Sequence, residues 1–242
     1  QTLGYTELII DSGATATITG TGGDQLADSG GVLVKTGGTW NLNGNSEAID
    51  GLAGGGSVTS ATAATLTLGG SATLSNQLSA ISAYSLAAAR AGVASTGLNN
   101  FSGVIGGSIA LTKYGYGTMI LSGANTYSGT TTITTGTLRL AALNALPSGT
   151  GKGNVTIVPS TTIGGVTVPG TLDIGGWDQQ INGLNAALAT GQLGATVINT
   201  PQLSFNGSVW GWLNNGNFNS SGFATTPTDN TIPVKSRPLF AA

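Results

Sequence analysis

Apolar and polar residues alternate in short segments along most of the chain, and glycines separate one segment from the next. Clear examples occupy residues 15–19, 64–68, 137–140, 154–157 and 165–168. Alternation over about five residues predicts a β-strand with one apolar face and one threonine-rich face. Few of the turns carry the Asn-Gly signal of a tight hairpin, so the pattern favours a chain that turns corners over a reversing meander.

Internal repeats support the same interpretation. Residues 39–44 align with residues 171–176, and the alignment continues without a gap until residues 49–52 lie over residues 181–184. Each copy is too short to bury its own apolar face, whereas stacked copies bury one continuous core. The repeats therefore predict a solenoid.

One stretch resembles a known repeat family. Residues 115–140, with the core sequence LSGANTYSGTT at residues 121–131, closely resemble the autotransporter-associated β-strand repeat, also called the passenger-associated transport repeat. The resemblance covers residues 100–199 well and residues 30–70 more loosely. It implies a parallel β-helix on an exported bacterial surface protein, and it implies no activity, because the repeat is a scaffold element.

We therefore predict an all-β protein, a parallel β-helix of about ten coils with 20–25 residues in each coil. Residues 1–213 form the solenoid, with an insertion at residues 76–98 whose alanine-rich part, residues 76–91, is a short helix or loop. Residues 214–242 contain three of the seven prolines. Because proline removes a ladder donor, this part is predicted to be an extended tail or strap.

The alternation also predicts which side chains face the core of the solenoid. Outward threonine ladders stay polar without charge, and apolar side chains on the opposite face of each strand stack in the interior. The residues expected to form this core ladder are Ile133, Leu138, Leu140, Leu172 and Ile174.

Composition excludes several classes of function. The chain of 242 residues has no His and no Cys, so it has no Ser-His-Asp triad, no cysteine nucleophile and no zinc or haem site of the usual ligands. Seven Lys and Arg with a net charge of −2 provide no basic stripe for nucleic acid. No apolar run reaches 18 residues, so no membrane insertion is expected. We predict no catalytic residue, no cofactor and no metal.

Two neighbouring carboxylates could cleave polysaccharide, because paired acids can perform general acid–base catalysis. The best local pair is Glu47 and Asp50. The matching repeat has the amides Gln179 and Asn182 at these positions, so the pattern requires a polar turn residue and not a titrating one. Residues 24–28 lack the regular spacing of calcium-binding β-rolls.

Two sets of residues are candidates for surface roles. Five aromatic residues near the C-terminus are expected either to cover the last coil or form a protein interface, or to stack on glycan rings; they are Phe205, Trp210, Trp212, Phe218 and Phe223. Four Asn-x-Ser/Thr sequons are candidate glycosylation sites; they are Asn100, Asn154, Asn206 and Asn219.

The two ends of a solenoid expose unpaired backbone groups, which proteins normally cover. The hypothesis is that copies of this chain cover each other by end-on stacking or strand donation, which builds a filament. The alternatives are a terminus that folds back over its own end and a fragment of a longer passenger. We predict an exported, non-catalytic structural protein of an extracellular filament or surface coat, with its own copies and surface glycans as candidate partners. The alternatives are an adhesin that presents residues 76–98 and, as a minor one, a polysaccharide-active enzyme.

Overall fold

The computed structural model describes a protein built from 23 β-strands and the turns between them. Strands after residue 200 are described by their backbone alone. No helix occurs within these described residues, which therefore also provide no helix that could cross a membrane. The described residues are 7–20, 23–69, 99–158, 161–163, 166–185, 196–199, 203–205, 209–210, 212–214 and 217–219.

The strands stack into a prism with three walls, which we call faces 1, 2 and 3 in the order in which the chain passes them. Face 1 is a ten-stranded sheet, and its first eight strands are parallel. Its strands, from one end to the other, are β1 (Glu7–Ile10), β3 (Gly31–Val34), β6 (Gly51–Gly54), β8 (Asn100–Phe101), β10 (Thr118–Leu121), β12 (Gly136–Leu140), β16 (Gly170–Asp173), β19 (Thr196–Ile198), β23 (Asn217–Asn219) and β22 (Trp212–Asn214).

Face 2 follows face 1 in each coil. Between its strands, residues 125–128 and 144–146 continue the stack, since Thr126 N donates to Ile105 O at 2.9 Å and Asn125 N to Ala145 O at 3.4 Å. The strands of this face are β2 (Thr15–Thr17), β4 (Thr39–Asn41), the first parts of β7 (Ser57–Leu68) and β9 (Val104–Lys113), β17 (Gln179–Ile181) and β20 (Leu203–Phe205).

Face 3 closes the prism. The long strands β7 and β9 contribute to two faces, because their register shifts between Ser60 and Ala64 and this irregularity turns the corner. The strands of face 3 are β5 (Glu47–Ile49), the second parts of β7 and β9, β11 (Thr131–Ile133), β13 (Val155–Ile157), β18 (Leu184–Asn185) and β21 (Val209–Trp210). A small hairpin, β14 (Thr161–Ile163) with β15 (Val166–Val168), lies outside the three faces.

The predicted parallel β-helix is confirmed, and two coils are longer than expected. Thr118 pairs with Thr137, only 19 positions later, whereas Gly136 pairs with Gly170, 34 positions later, because the β14–β15 hairpin is inserted there. Gly54 pairs with Phe101, 47 positions later, across the coil that contains residues 70–98. The described residues of face 1 consequently form eight parallel strands where the sequence suggested about ten coils.

Apolar side chains stack along the axis inside the prism. On face 1 the register places Met119, Leu138, Leu172 and Val197 above one another, and all four are buried. The five residues predicted to face the core, Ile133, Leu138, Leu140, Leu172 and Ile174, are completely buried. Full burial of each such side chain stabilises the fold by about 1.5–3 kcal/mol, so the core ladder is the main source of stability in a chain without disulfides.

Glycines at the corner between faces 1 and 2 let successive coils approach each other. A Cβ atom added to Gly103 would overlap the carbonyl oxygen of Gly56, and one added to Gly123 would overlap that of Gly103. Side chains at these positions would force the coils apart, which explains why glycine recurs at the same corner in three consecutive coils.

The internal repeat is out of phase with the coils. Thr39–Asn41 lies on face 2, whereas the aligned segment, residues 171–173, lies on face 1. The repeat therefore describes a strand, a glycine turn and a strand, and not a whole coil. All three faces need the same inward apolar and outward polar alternation, so one short pattern serves any of them.

Two parts of the predicted organisation fall outside the described residues. They are the insertion with its alanine-rich segment at 76–91 and the proline-containing part of the tail after residue 219. The described part of the tail contributes to the antiparallel hairpin of β22 and β23.

We predict that Leu138→Ala lowers the free energy of unfolding by about 2–5 kcal/mol, because it leaves a cavity in the core ladder. Urea unfolding followed by tryptophan fluorescence measures the change. Thr137→Ala, one residue away on the outward side of the same strand, is the matched control and should cost no more than about 1 kcal/mol. Equal losses in both variants would contradict the assigned orientation of β12.

Candidate functional site

Carboxylates join the first two coils at the start of face 3. Glu47 begins β5 and is only 2% exposed. Its carboxylate accepts hydrogen bonds from the backbone N–H of Gln25 at 3.1 Å and of Leu26 at 3.0 Å, while Asp24 Oδ1 accepts one from Ala48 N at 3.1 Å. These reciprocal contacts join residues 24–26 to the start of β5 through side-chain carboxylates.

The same corner brings a third carboxylate close to the first two. Burial raises the pKa of Asp28, and the hydrogen bond and negative charge of Asp24 raise it further. Burial also raises the pKa of Glu47, although the amide hydrogen bonds of Leu26 and Gln25 oppose the shift. The sequence pairing of Glu47 with Asp50 missed this cluster, because Asp24 reaches Glu47 from the preceding coil and Asp28 interacts with Asp24.

The hydrogen bonds of Glu47 and the one printed for Asp24 with Ala48 go to backbone N–H groups. Within the described ranges, no group of three or more His, Cys, Asp or Glu residues could hold a metal ion. Glu47 is closed to a substrate by its burial, and its oxygens are occupied by main-chain donors.

The amide at the matching repeat position does the same work. Gln179 begins β17 and is buried; its Oε1 accepts a hydrogen bond from Leu146 N at 3.3 Å, and its Nε2 donates to Ala142 O at 2.6 Å. Asn182 likewise binds both backbone groups of Gly149, at 2.7 and 2.9 Å. Glu47 and Gln179 thus share one structural role, on different faces.

Three polar side chains of the LSGANTYSGTT segment, residues 121–131, are buried inside the prism: Asn125, Tyr127 and Thr131. Asn125 bridges three consecutive coils, since its Oδ1 accepts a hydrogen bond from Ile105 N at 2.8 Å and its Nδ2 donates to Gly123 O and Ala145 O at 3.1 and 2.7 Å. The buried hydroxyls of Tyr127 and Thr131 lie 2.6 Å apart, and burial raises the pKa of Tyr127. The buried polar groups of this segment therefore bond within the stack.

A buried lysine, which the sequence analysis did not single out, lies where face 3 of one coil turns into face 1 of the next. Lys113 is 3% exposed, and its Nζ donates to the carbonyl oxygens of Tyr114 at 2.5 Å, Gly115 at 3.1 Å and Thr135 at 3.5 Å. Burial lowers the pKa of Lys113 to about 7, although the negative charge of Asp50 acts in the other direction and raises it. Lys113 lies two residues after the buried Leu111 on the same strand, so the alternation of β9 points both side chains inward. This alternation could have predicted the burial of Lys113 from the sequence.

The repeat partner of Lys113 behaves differently. Residues 33–37 (LVKTG) align with residues 111–115 (LTKYG), which places Lys35 over Lys113. Lys35 is half exposed and pairs with Asp11 at 2.6 Å. The alignment alone therefore does not distinguish a buried lysine from a solvated one, because Lys35 follows the end of β3 whereas Lys113 is the last residue of β9.

Another carboxylate joins the last described coils of face 1. Asp173 is buried, and its Oδ1 accepts hydrogen bonds from Asn199 Nδ2 at 2.7 Å and Gly175 N at 2.8 Å. Its Oδ2 lies 3.7 Å from Arg139 Nε on the neighbouring strand. Asp173 therefore also serves the stack.

The candidate surface residues lie in different parts of the structure. Asn100 and Asn154 are exposed, Asn219 lies on β23, and Asn206 is outside the described residues. Among the aromatic candidates, four lie on strands described by backbone alone and Phe223 is outside the described residues; the four are Phe205, Trp210, Trp212 and Phe218.

Sequence reasoning missed an exposed apolar pair at the corner between faces 1 and 2. Trp177 is 48% exposed and Leu143 is 55% exposed. They occupy neighbouring coils, since Asn144 N donates to Asp178 O at 2.9 Å. Two consecutive glycines with positive φ, Gly175 and Gly176, precede the tryptophan and shape the turn that presents it.

Comparison with known proteins supports the structural assignment. Residues 111–140 match the family model described as Passenger-associated-transport-repeat. The predicted resemblance is thereby confirmed over this segment, which contains Lys113, Asn125 and the core residue Leu138. The repeat is a structural repeat of autotransporter passengers and not a catalytic family. No curated protein and no solved structure matches the chain.

Glu47→Gln should remove a pH-dependent part of the stability. Because the folded-state pKa of Glu47 lies above its ordinary 4.5, the folded protein binds the proton more tightly than the unfolded chain. Wild-type stability therefore falls as the pH rises from about 4.5 through the raised pKa. The stability of Glu47→Gln relative to the wild type should increase over this interval, measured by urea unfolding at a series of pH values.

Glu47→Ala is the control for this prediction. It removes the acceptors of Gln25 N and Leu26 N altogether and should cost about 1–3 kcal/mol at every pH. If the glutamine variant were as unstable as the alanine variant throughout the pH series, the amide would not replace the carboxylate as proposed.

Lys113→Met should alter the pH dependence at the alkaline end. The pKa of Lys113 lies near 7 in the folded protein and at its ordinary 10.5 in the unfolded chain, so the unfolded chain binds more protons between these values. Wild-type stability should therefore rise from about pH 7 to about pH 10.5, whereas the stability of the methionine variant should lack this increase.

Lys35→Met is the matched control, because Lys35 is half exposed and its variant should keep the wild-type pH profile. Thermal unfolding at pH values from 6 to 10.5 compares the three proteins. Parallel profiles for the wild type and Lys113→Met would show that the Lys113 ammonium is not desolvated in the folded state.

Proposed function

We propose that this chain is a structural subunit of an exported filament or surface coat, in which each solenoid continues the stack of the next copy. Its repeat is associated with autotransporter passengers, which supports an exported and surface-related protein. The solenoid itself then performs the function, as a stiff rod stabilised by stacked backbone ladders and a continuous apolar core.

One observation carries this proposal: the strands at both ends of the prism run in the same direction. Within the described residues, face 1 begins with β1 and face 2 with β2. The last described strands of faces 2 and 3 are β20 and β21, which are parallel to the strands before them. A second copy added to an exposed edge can therefore continue the ladder in the same direction.

The outer surface also suits a long rod, because it carries few charges. Only 16 of 242 residues are charged, and the outward positions of β4 and β11 are threonine or asparagine. Identical charges repeated at each rung, about 4.8 Å apart, would repel along the axis. A nearly uncharged outer wall avoids this repulsion in a rod of any length.

The alternative function is an adhesive passenger, and the exposed corner of Trp177 and Leu143 favours it. An exposed tryptophan with amide and carboxylate neighbours suits a small amphipathic ligand such as a sugar ring. Two side chains are too few for a stable protein interface, which needs about 800 Å² from each partner. An adhesin would carry out its function as a single anchored copy, whereas a filament subunit must polymerise.

Electron microscopy of the purified full chain separates these functions. We expect unbranched fibres whose amount rises with protein concentration, together with large species in light scattering at neutral pH. The Trp177→Ala variant should polymerise normally if the corner is unrelated to assembly. Discrete monomers at every concentration, with glycan binding abolished by Trp177→Ala, would contradict the filament proposal and support the adhesin.

A further inference from the structure

We propose that two copies join through face 1 alone, with the edge of β22 of one copy pairing in parallel with the edge of β1 of the next. This inference rests on the proposed filament function and names the surface that would build it. The partner is therefore a second copy of the same chain, added head to tail.

Strand direction makes this pairing available. β23 runs antiparallel to β19, and β22 runs antiparallel to β23. Two reversals restore the original direction, so β22 runs parallel to β19 and to every strand back to β1. The hairpin therefore extends face 1 and ends in a strand that runs in the same direction as β1, so the β1 of a second copy could pair with it in parallel.

The described residues at the edges of β1 and β22 carry few of the features that block strand pairing. Within the described residues, β1 pairs with β3 on one side and β22 pairs with β23 on one side. In natural proteins, prolines, lysines or bulges in an edge strand prevent it from pairing with another molecule. The segments ELII and WLN contain no proline, no lysine and a single charge, that of Glu7.

The β1 end of face 1 also presents apolar side chains. Ile9 is 51% exposed, and its register partner on the next strand into the stack is the half-buried Leu33. A following subunit placed against β1 would cover part of Ile9, which adds apolar burial of about 25 cal/mol per Å² to the backbone hydrogen bonds.

The hairpin fixes the length of the repeating unit. The described residues of face 1 form ten strands, the eight from β1 to β19 and the two of the hairpin. At about 4.8 Å per strand, a junction from β22 to β1 gives an axial rise of about 48 Å per subunit. A junction that displaces the hairpin and joins β19 directly to β1 gives about 38 Å. The two arrangements are therefore distinguishable by the layer lines of a filament image.

Cysteine cross-linking tests the contact itself, because the chain contains no Cys. We would prepare Ile9→Cys, Leu213→Cys and Asn214→Cys as separate full-length proteins. Neighbouring residues of β22 face opposite sides of the sheet, so one of the last two shares the side of Ile9. Oxidation of Ile9→Cys mixed with the β22 variant on the same side should give a disulfide dimer, while each single variant oxidised alone should give no covalent dimer.

The double variant, with Ile9→Cys and that β22 cysteine in one chain, should give a ladder of covalent oligomers on a denaturing gel. Thr171→Cys mixed with Ile9→Cys is the matched control, since Thr171 lies in the middle of face 1, and it should give no cross-link. Together with an axial rise of about 48 Å, this pattern would support the β22–β1 junction.

Four results would overturn the inference. A covalent dimer of Ile9→Cys alone would show a symmetric end contact, and filaments with a rise of about 38 Å would show that the hairpin is displaced. Filaments that form with no cross-link in either mixture would show a different contact, while the proposed function would stand. Absence of filaments in all preparations would instead remove the proposed function together with this junction.

Discussion

The repeated backbone ladder between coils is the constraint on which the rest of this structure depends. Each strand must meet the strand above and the strand below at about 4.8 Å, on three faces at once. A side chain is therefore admitted only where it fits that spacing. Apolar residues stack inward, small polar residues line the outside, and glycine occupies corners such as Gly103, where a Cβ atom would overlap the neighbouring coil.

The same constraint explains why the polar residues inside the prism serve the backbone. A corner interrupts the ladder and leaves main-chain donors and acceptors that cannot reach water. Glu47 and Asn125 accept the orphaned N–H groups, and Lys113 donates to the orphaned carbonyls. Charged and neutral groups do equivalent work, as Glu47 and Gln179 demonstrate. A cluster with raised pKa values, which elsewhere would suggest catalysis, is here a substitute for missing ladder hydrogen bonds.

The architecture could be predicted from the sequence because alternation is local, whereas the contacts between coils could not. Each strand carries its own inward and outward pattern, so Leu138 and Leu172 could be assigned to the core before any coil was placed. The partners of Asp24 and Lys113 depend on coil length, which varies from 19 positions to 47 positions along face 1. The repeat was similarly visible but out of phase, since all three faces accept the same pattern and the sequence does not mark which face a segment occupies.

A solenoid of parallel strands also has two ends that cannot be equivalent. Joining β1 to the β1 of another copy would place the two strands antiparallel about a two-fold axis, and it would cover only one end of each molecule. Joining unlike ends preserves the parallel ladder and leaves a new free end of the same kind as the one just covered. Such a heterologous contact does not close on itself unless a rotation brings it into a ring. For a straight stack the rotation axis coincides with the fibre axis, so the contact that satisfies one edge always regenerates another.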